Sequence, residues 1–132
     1  MPGANQAPTV TGNWNAVFAP SRVGAQSTSL TINFNQNGNA LNGTVIAVNN
    51  PAGSCFPAIG STGTTFTVTG QVSSAANSNM TLSVAFMSGS SSGTIMGSAT
   101  LAYLATMANG TFSFPAGPSG CTNGSFMMTK TA

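Results

Sequence analysis

The chain has 132 residues, a formal net charge of +2 carried by Arg22 and Lys130, and no Asp, Glu or His. That length fits one domain, and 41% apolar residues is more than a disordered chain contains. Two cations cannot displace the counterions of a phosphate backbone, which excludes nucleic acid as a partner, and no apolar run reaches the ~18 residues of a membrane-spanning helix.

The chain opens with "MPGANQAP". It has neither a charged n-region nor an apolar h-region, so it is not a signal peptide. We expect a mature N-terminus behind an added or retained Met, with residues 1–10 as an arm or linker and residues 11–132 as one β domain. The first strand is predicted over 12–19. The second, over 29–36, sets Leu30, Ile32 and Phe34 on one face and Thr31, Asn33 and Asn35 on the other, the period of a half-buried antiparallel strand. "NGN" at 37–39 follows as a hairpin turn, Gly38 being free to take a positive φ. Further strands are predicted over 40–49, 64–73, 79–88, 93–104, 110–115 and 124–130. The turn clusters "PSRVGAQS", "NNPAGS", "SAAN", "GSSS", "MAN" and "AGPSGCTN" separate them. Residues 100–107 have helical propensity, but we read their start as continuing a strand.

Glycine recurs in or at the start of these strands, at Gly12, Gly43, Gly70, Gly97, Gly110 and Gly124, each followed by a polar and then an apolar residue. Glycine weakens a flat strand but supplies the bend that a closing sheet needs. We therefore expect an all-β, eight-stranded antiparallel up-and-down barrel, with a Greek-key β-sandwich as the alternative. Cys55 and Cys121 both lie in turn-like surroundings. An even count in loops of a small chain points to a disulfide in an oxidising compartment, worth about 4 kcal/mol in the chain-entropy model. The alternative is two buried thiols.

The stretch "VTGNW" (residues 10–14) resembles the Gly-x-Trp signature of the calycins, the group of lipocalins and avidins. "NALNGTVIAV" (39–48) is similar to the avidin pattern of a hairpin leading into a Gly-Thr strand. Over most of its length the chain resembles small secreted bacterial calycin-like domains of uncharacterised function, with Cys55, Cys121 and "GSFMMTK" (124–130) in the matching places. The resemblance implies a barrel whose Trp14 plugs one end, covered by a basic residue near the C-terminus. Lys130 is the first choice and Arg22 the second, by a cation–π contact of ~0.5–2 kcal/mol. Otherwise Trp14 is a plain core aromatic. The avidin biotin pocket, walled by several Trp and finished by an acid, finds no counterpart in a chain with one Trp and no acid.

The absent residues constrain function most. General acid–base chemistry draws on His, Asp, Glu, Lys, Tyr or Cys, and three of these types are missing. No Ser-His-Asp set, carboxylate pair or calcium site can be assembled, and zinc would find two cysteines. We expect no enzyme, no metal and no cofactor. Tyr103 can anchor a ligand through its hydroxyl. Met80, Met87, Met96, Met127 and Met128 can line an adaptable apolar pocket, or fill gaps in a glycine-rich core. The Asn-x-Ser/Thr triplets at Asn42, Asn79, Asn109 and Asn123 are expected by chance in so polar a composition.

A surface of hydroxyls and amides has little self-repulsion. We therefore expect a secreted or cell-surface structural protein that associates with itself, as a fibre, coat or matrix subunit. The alternative is a calycin-like carrier of a small apolar ligand inside the barrel. A carrier needs an internal cavity with convergent polar groups, whereas an assembler needs a strand edge or terminal arm that reaches a neighbour. With no carboxylate or imidazole side chain to titrate, proton linkage has almost nothing to act on between about pH 4 and pH 7. The melting temperature should stay within a few degrees across that interval, as scanning calorimetry would report.

Overall fold

The computed structural model describes residues 10–49, 64–73, 79–88, 91–101, 106–115 and 121–131. Eight strands follow in chain order: β1 (Gly12–Pro20), β2 (Thr28–Asn37), β3 (Ala40–Asn49), β4 (Thr65–Val72), β5 (Asn79–Ser88), β6 (Ser91–Leu101), β7 (Met107–Ser113) and β8 (Asn123–Lys130). Each pairs antiparallel with its chain neighbour, and β8 pairs back onto β1 to close a barrel. Seven register pairs, from Trp14↔Lys130 to Pro20↔Gly124, make that closure. It settles the choice between barrel and sandwich, because a sandwich would leave the first and last strands as edges.

The period-two pattern dictates which residues face inward. β1 buries Trp14, Ala16 and Phe18, β2 buries Leu30, Ile32 and Phe34, and β5 buries Met80, Leu82, Val84 and Phe86. Phe18 stacks on Phe126 at 5.0 Å and meets Phe112 edge-on at 5.7 Å, while Phe86 and Phe114 lie 5.8 Å apart. An eight-stranded barrel is just wide enough for such side chains to fill, and the buried apolar residues form one cluster. Every buried side-chain polar atom among the described residues has a hydrogen-bond partner, as burial without charge compensation requires.

Most strand boundaries lie within one or two residues of expectation, and the largest difference among the described residues is at β7. β7 starts at Met107, three residues before the predicted start, so the "MAN" turn is strand. Ala108 pairs with both Leu101 and Met128, and its small inward side chain holds the alternation. β7 ends at Ser113 because Pro115 has no N–H for the ladder, and Phe114 N–H donates instead to Thr122 O at 2.7 Å. β6 is described to Leu101, so the rest of the segment predicted to residue 104 lies outside the described residues.

The recurring glycines fall on inward positions and answer two packing demands. A Cβ at Gly70, Gly110 or Gly124 would meet a neighbouring strand's backbone carbonyl, that of Thr81, Ser98 or Ala19. At Gly43 and Gly97 the space is taken by side chains, with Ile32 and Val68 2.8 Å from the first and the Phe126 ring 3.0 Å from the second. Gly12 differs, since its φ of 133° is a backbone conformation that side chains disfavour. Gly110→Ala must move a strand backbone, whereas Gly97→Ala asks only a ring to yield. Urea unfolding should place Gly110→Ala about 3 kcal/mol or more below wild type and Gly97→Ala about 1 kcal/mol below it.

Candidate functional site

Three features of the barrel can carry function: its closed end, an incomplete seam and its outer wall. The closed end gathers the start of β1, the β2–β3 turn and the end of β8. The Trp14 indole Nε1–H donates to Val10 O at 2.8 Å, and Val10 N–H donates to Gln36 Oε1 at 2.6 Å. Gln36 Nε2–H then donates to Gly38 O at 3.0 Å. One glutamine thus ties the incoming chain to the hairpin turn. Val10 and Trp14 are buried, so these bonds satisfy groups that water does not reach. Lys130 stands opposite Trp14 in register and is half-buried. Register partners in an antiparallel pair share a face, so the basic residue and the indole lie on the same side of the sheet. Thr131 N–H donates to Asn13 O at 2.8 Å, fastening the C-terminal residues to β1.

The seam between β3 and β4 is short. Only Ala40–Gly43 pair with Val68–Gln71, while β5 and β6 pair over their full length. Beyond Gly43 the next β3 residues, 44–49, carry ladder pairs to β2 alone among the described residues. The β2–β3 register shifts between Thr31 and Ile32, leaving Ile46 as the extra residue of a bulge. Ile46 is 55% exposed and Val48 38%. Among the described residues, this stretch of β3 thus has a ladder partner on one side only and carries apolar side chains, with no charge or Pro in residues 44–49.

The outer wall is a lattice of hydroxyls and amides. Register pairs link Gln71, Thr81, Ser98, Thr111 and Ser125 into one row across five strands. A second row, Thr69–Ser83–Met96–Ser113, runs parallel to it. Between them lies a trough of about 610 Å³, floored by the backbones of Gly70, Leu82, Gly97 and Phe112. It opens outward, and no charged group lines it.

Among the described residues, the methionines expected to line a pocket divide between the two faces of the sheet. Met80 and Met128 pack in the core, whereas Met87, Met96 and Met127 stand on the outer face at 56%, 48% and 41% exposure. The reason is strand alternation, which sends Met127 and Met128 to opposite faces. Tyr103 and Cys55 lie outside the described residues. Cys121 is fully buried and is not a free thiol. Residues 1–9 are also outside the description, while Val10, assigned by sequence to the arm, belongs to the buried cluster. Among the described residues no cluster of metal-ligating side chains exists, and no helix is long and apolar enough to cross a membrane.

Gln36 and the β3 bulge were not singled out from sequence, yet both left a trace there. Gln36 continues the inward parity of Leu30, Ile32 and Phe34, so a polar side chain stands where a core residue is due. The run Val45–Ile46–Ala47–Val48 breaks alternation, as an inserted residue does.

These features define a closed, up-and-down antiparallel β-barrel whose described inward residues form one buried apolar cluster. No family model matches the chain, and no curated protein or solved structure is significantly similar to it. Removing the Gln36 bracket should weaken the closed end. Gln36→Ala leaves the Val10 N–H without its acceptor, so urea unfolding should report a loss of about 1–3 kcal/mol.

Proposed function

We propose that this protein is a non-enzymatic structural subunit that associates with itself, exported to the cell surface or beyond. The observation that carries this reading is the uncharged β3 stretch 44–49, which has no partner in β4 among the described residues and exposes Ile46 and Val48. Natural sheets protect such edges with charge, proline or cover, and residues 44–49 contain neither charge nor proline. The outer wall supports the reading, since its hydroxyls and amides meet a like surface with little repulsion. The carrier alternative is disfavoured by the interior, where Phe18, Phe112 and Phe126 pack together in the space that a ligand would need.

The finer assignments rest on this frame. The kinship we propose is with calycin-like barrels, supported by the register of Trp14 with Lys130. We also propose a Cys55–Cys121 bridge. The β3–β4 and β7–β8 connections that contain these residues leave the same end of an up-and-down barrel, and Cys121 is not a free thiol. An oxidising setting follows from that bridge.

Sedimentation velocity with negative-stain imaging tests the proposal. Wild type should form larger species or filaments as concentration rises. Ile46→Lys should remain monomeric with an unchanged melting temperature, because Ile46 is an exposed bulge residue. A wild type that stays monomeric at high concentration would overturn the reading, and an apolar molecule co-purifying with that monomer would favour the carrier.

A further inference from the structure

Four Asn–Gly dipeptides occur in the chain: Asn37–Gly38, Asn42–Gly43, Asn109–Gly110 and Asn123–Gly124. This pair has intrinsic chemistry. The glycine backbone nitrogen attacks the asparagine side-chain carbonyl carbon, a C–N bond forms, and ammonia leaves with the side-chain nitrogen. Water then opens the resulting succinimide at either carbonyl, giving aspartate or isoaspartate. The reaction needs no co-reactant but water. It does need an amide nitrogen that is not held in a hydrogen bond, and a backbone able to bring that nitrogen to the side chain.

The fold separates the four pairs sharply. Gly43 sits between Phe34 and Val68, Gly110 between Ala99 and Phe126, and Gly124 between Phe112 and Pro20, each flanked by strands on both sides. Ladder pairing fixes their extended backbones and turns the nitrogen away from the preceding side chain. At Asn37–Gly38 the ladder ends: Asn37 pairs with Ala40 on one side only, and Gly38 lies outside the ladder. Asn37 ends β2, and Gly38 with Asn39 forms the two-residue turn before β3. Both Asn37 and Gly38 are exposed. Gly38 has φ 63°, with open space where a Cβ would be, and its N–H has no partner among the described residues.

We propose that Asn37 is a self-modification site, converting with water to aspartate and isoaspartate while the other three Asn–Gly pairs are shielded by the ladder. The product is a carboxylate on a chain that encodes none, lowering the net charge by one from +2. Isoaspartate also adds a backbone methylene beside Gly38 O, the acceptor of Gln36. The modification therefore bears on the bracket that connects the turn to Val10 and Trp14.

The test is incubation of the purified full chain in warm, mildly alkaline buffer, followed by peptide mapping and enzymatic isoaspartyl methylation. Acid should accumulate at Asn37, with Asn42, Asn109 and Asn123 remaining amides many-fold longer. Asn37→Gln, an exposed amide-for-amide change, should remove nearly all of the acidic isoform seen on isoelectric focusing. In concentrated urea the four sites should convert at similar rates. Equal conversion of all four in the folded protein, or an acidic isoform undiminished in Asn37→Gln, would overturn the proposal. So would a lead for Asn37 that persisted in urea, since local sequence rather than the turn would then be responsible. Mass and charge are read directly, so the outcome is independent of whether the protein self-associates.

Discussion

Close approach of backbones is the constraint on which this barrel depends. At Gly70, Gly110 and Gly124 a neighbouring strand's carbonyl occupies the place of a Cβ. Eight short strands cannot be rolled around a narrow core unless some residues give up their inward volume. The glycines give it up, and the aromatic rings take part of it back. Phe126 lies against Gly97, Phe112 against Gly124, and Phe86 and Phe114 against Gly93. Ring and glycine together restore dense packing, so the glycine-rich strands lose little of the burial that stabilises them.

The described inward side chains, Phe18, Phe112 and Phe126 among them, pack into one apolar cluster, and the polar groups lie on the surface and at the ends. The surface mixes hydroxyls and amides with exposed methionines and carries almost no charge, which is uncommon, because charge is the usual means of keeping folded proteins apart. At the closed end, neutral hydrogen bonds through Gln36 do the fastening. At the β3–β4 seam the ladder among the described residues ends at Gly43↔Val68, and β3 bulges at Ile46 a few residues further on. Closure on the β1–β8 side and incompleteness on the β3–β4 side therefore coexist in one sheet.

Much of the architecture was legible in the residues. Alternation located eight strands, and Asn37–Gly38–Asn39 marked the hairpin turn, because these are local consequences of period and φ preference. The candidate site was less legible. Met87, Met96 and Met127 look like pocket-lining residues in composition, yet parity sends them outside. Parity was readable, but its sign depends on which face the barrel encloses. The start of β7 was missed because "MAN" carries turn chemistry that pairing with β6 and β8 overrides.

The sequence by itself determined that the protein is all-β, nearly uncharged and without carboxylate or imidazole side chains, since these follow from composition and from a period that any strand imposes. Only the tertiary structure decided that β8 closes on β1, that the inward side chains meet in one cluster, and that the described β3–β4 ladder ends at Gly43. It also decided which glycines admit a backbone and which admit a ring, and which Asn–Gly pair lies outside the ladder. Those outcomes depend on contacts between residues far apart in the chain, where register and curvature rather than local preference set the distance.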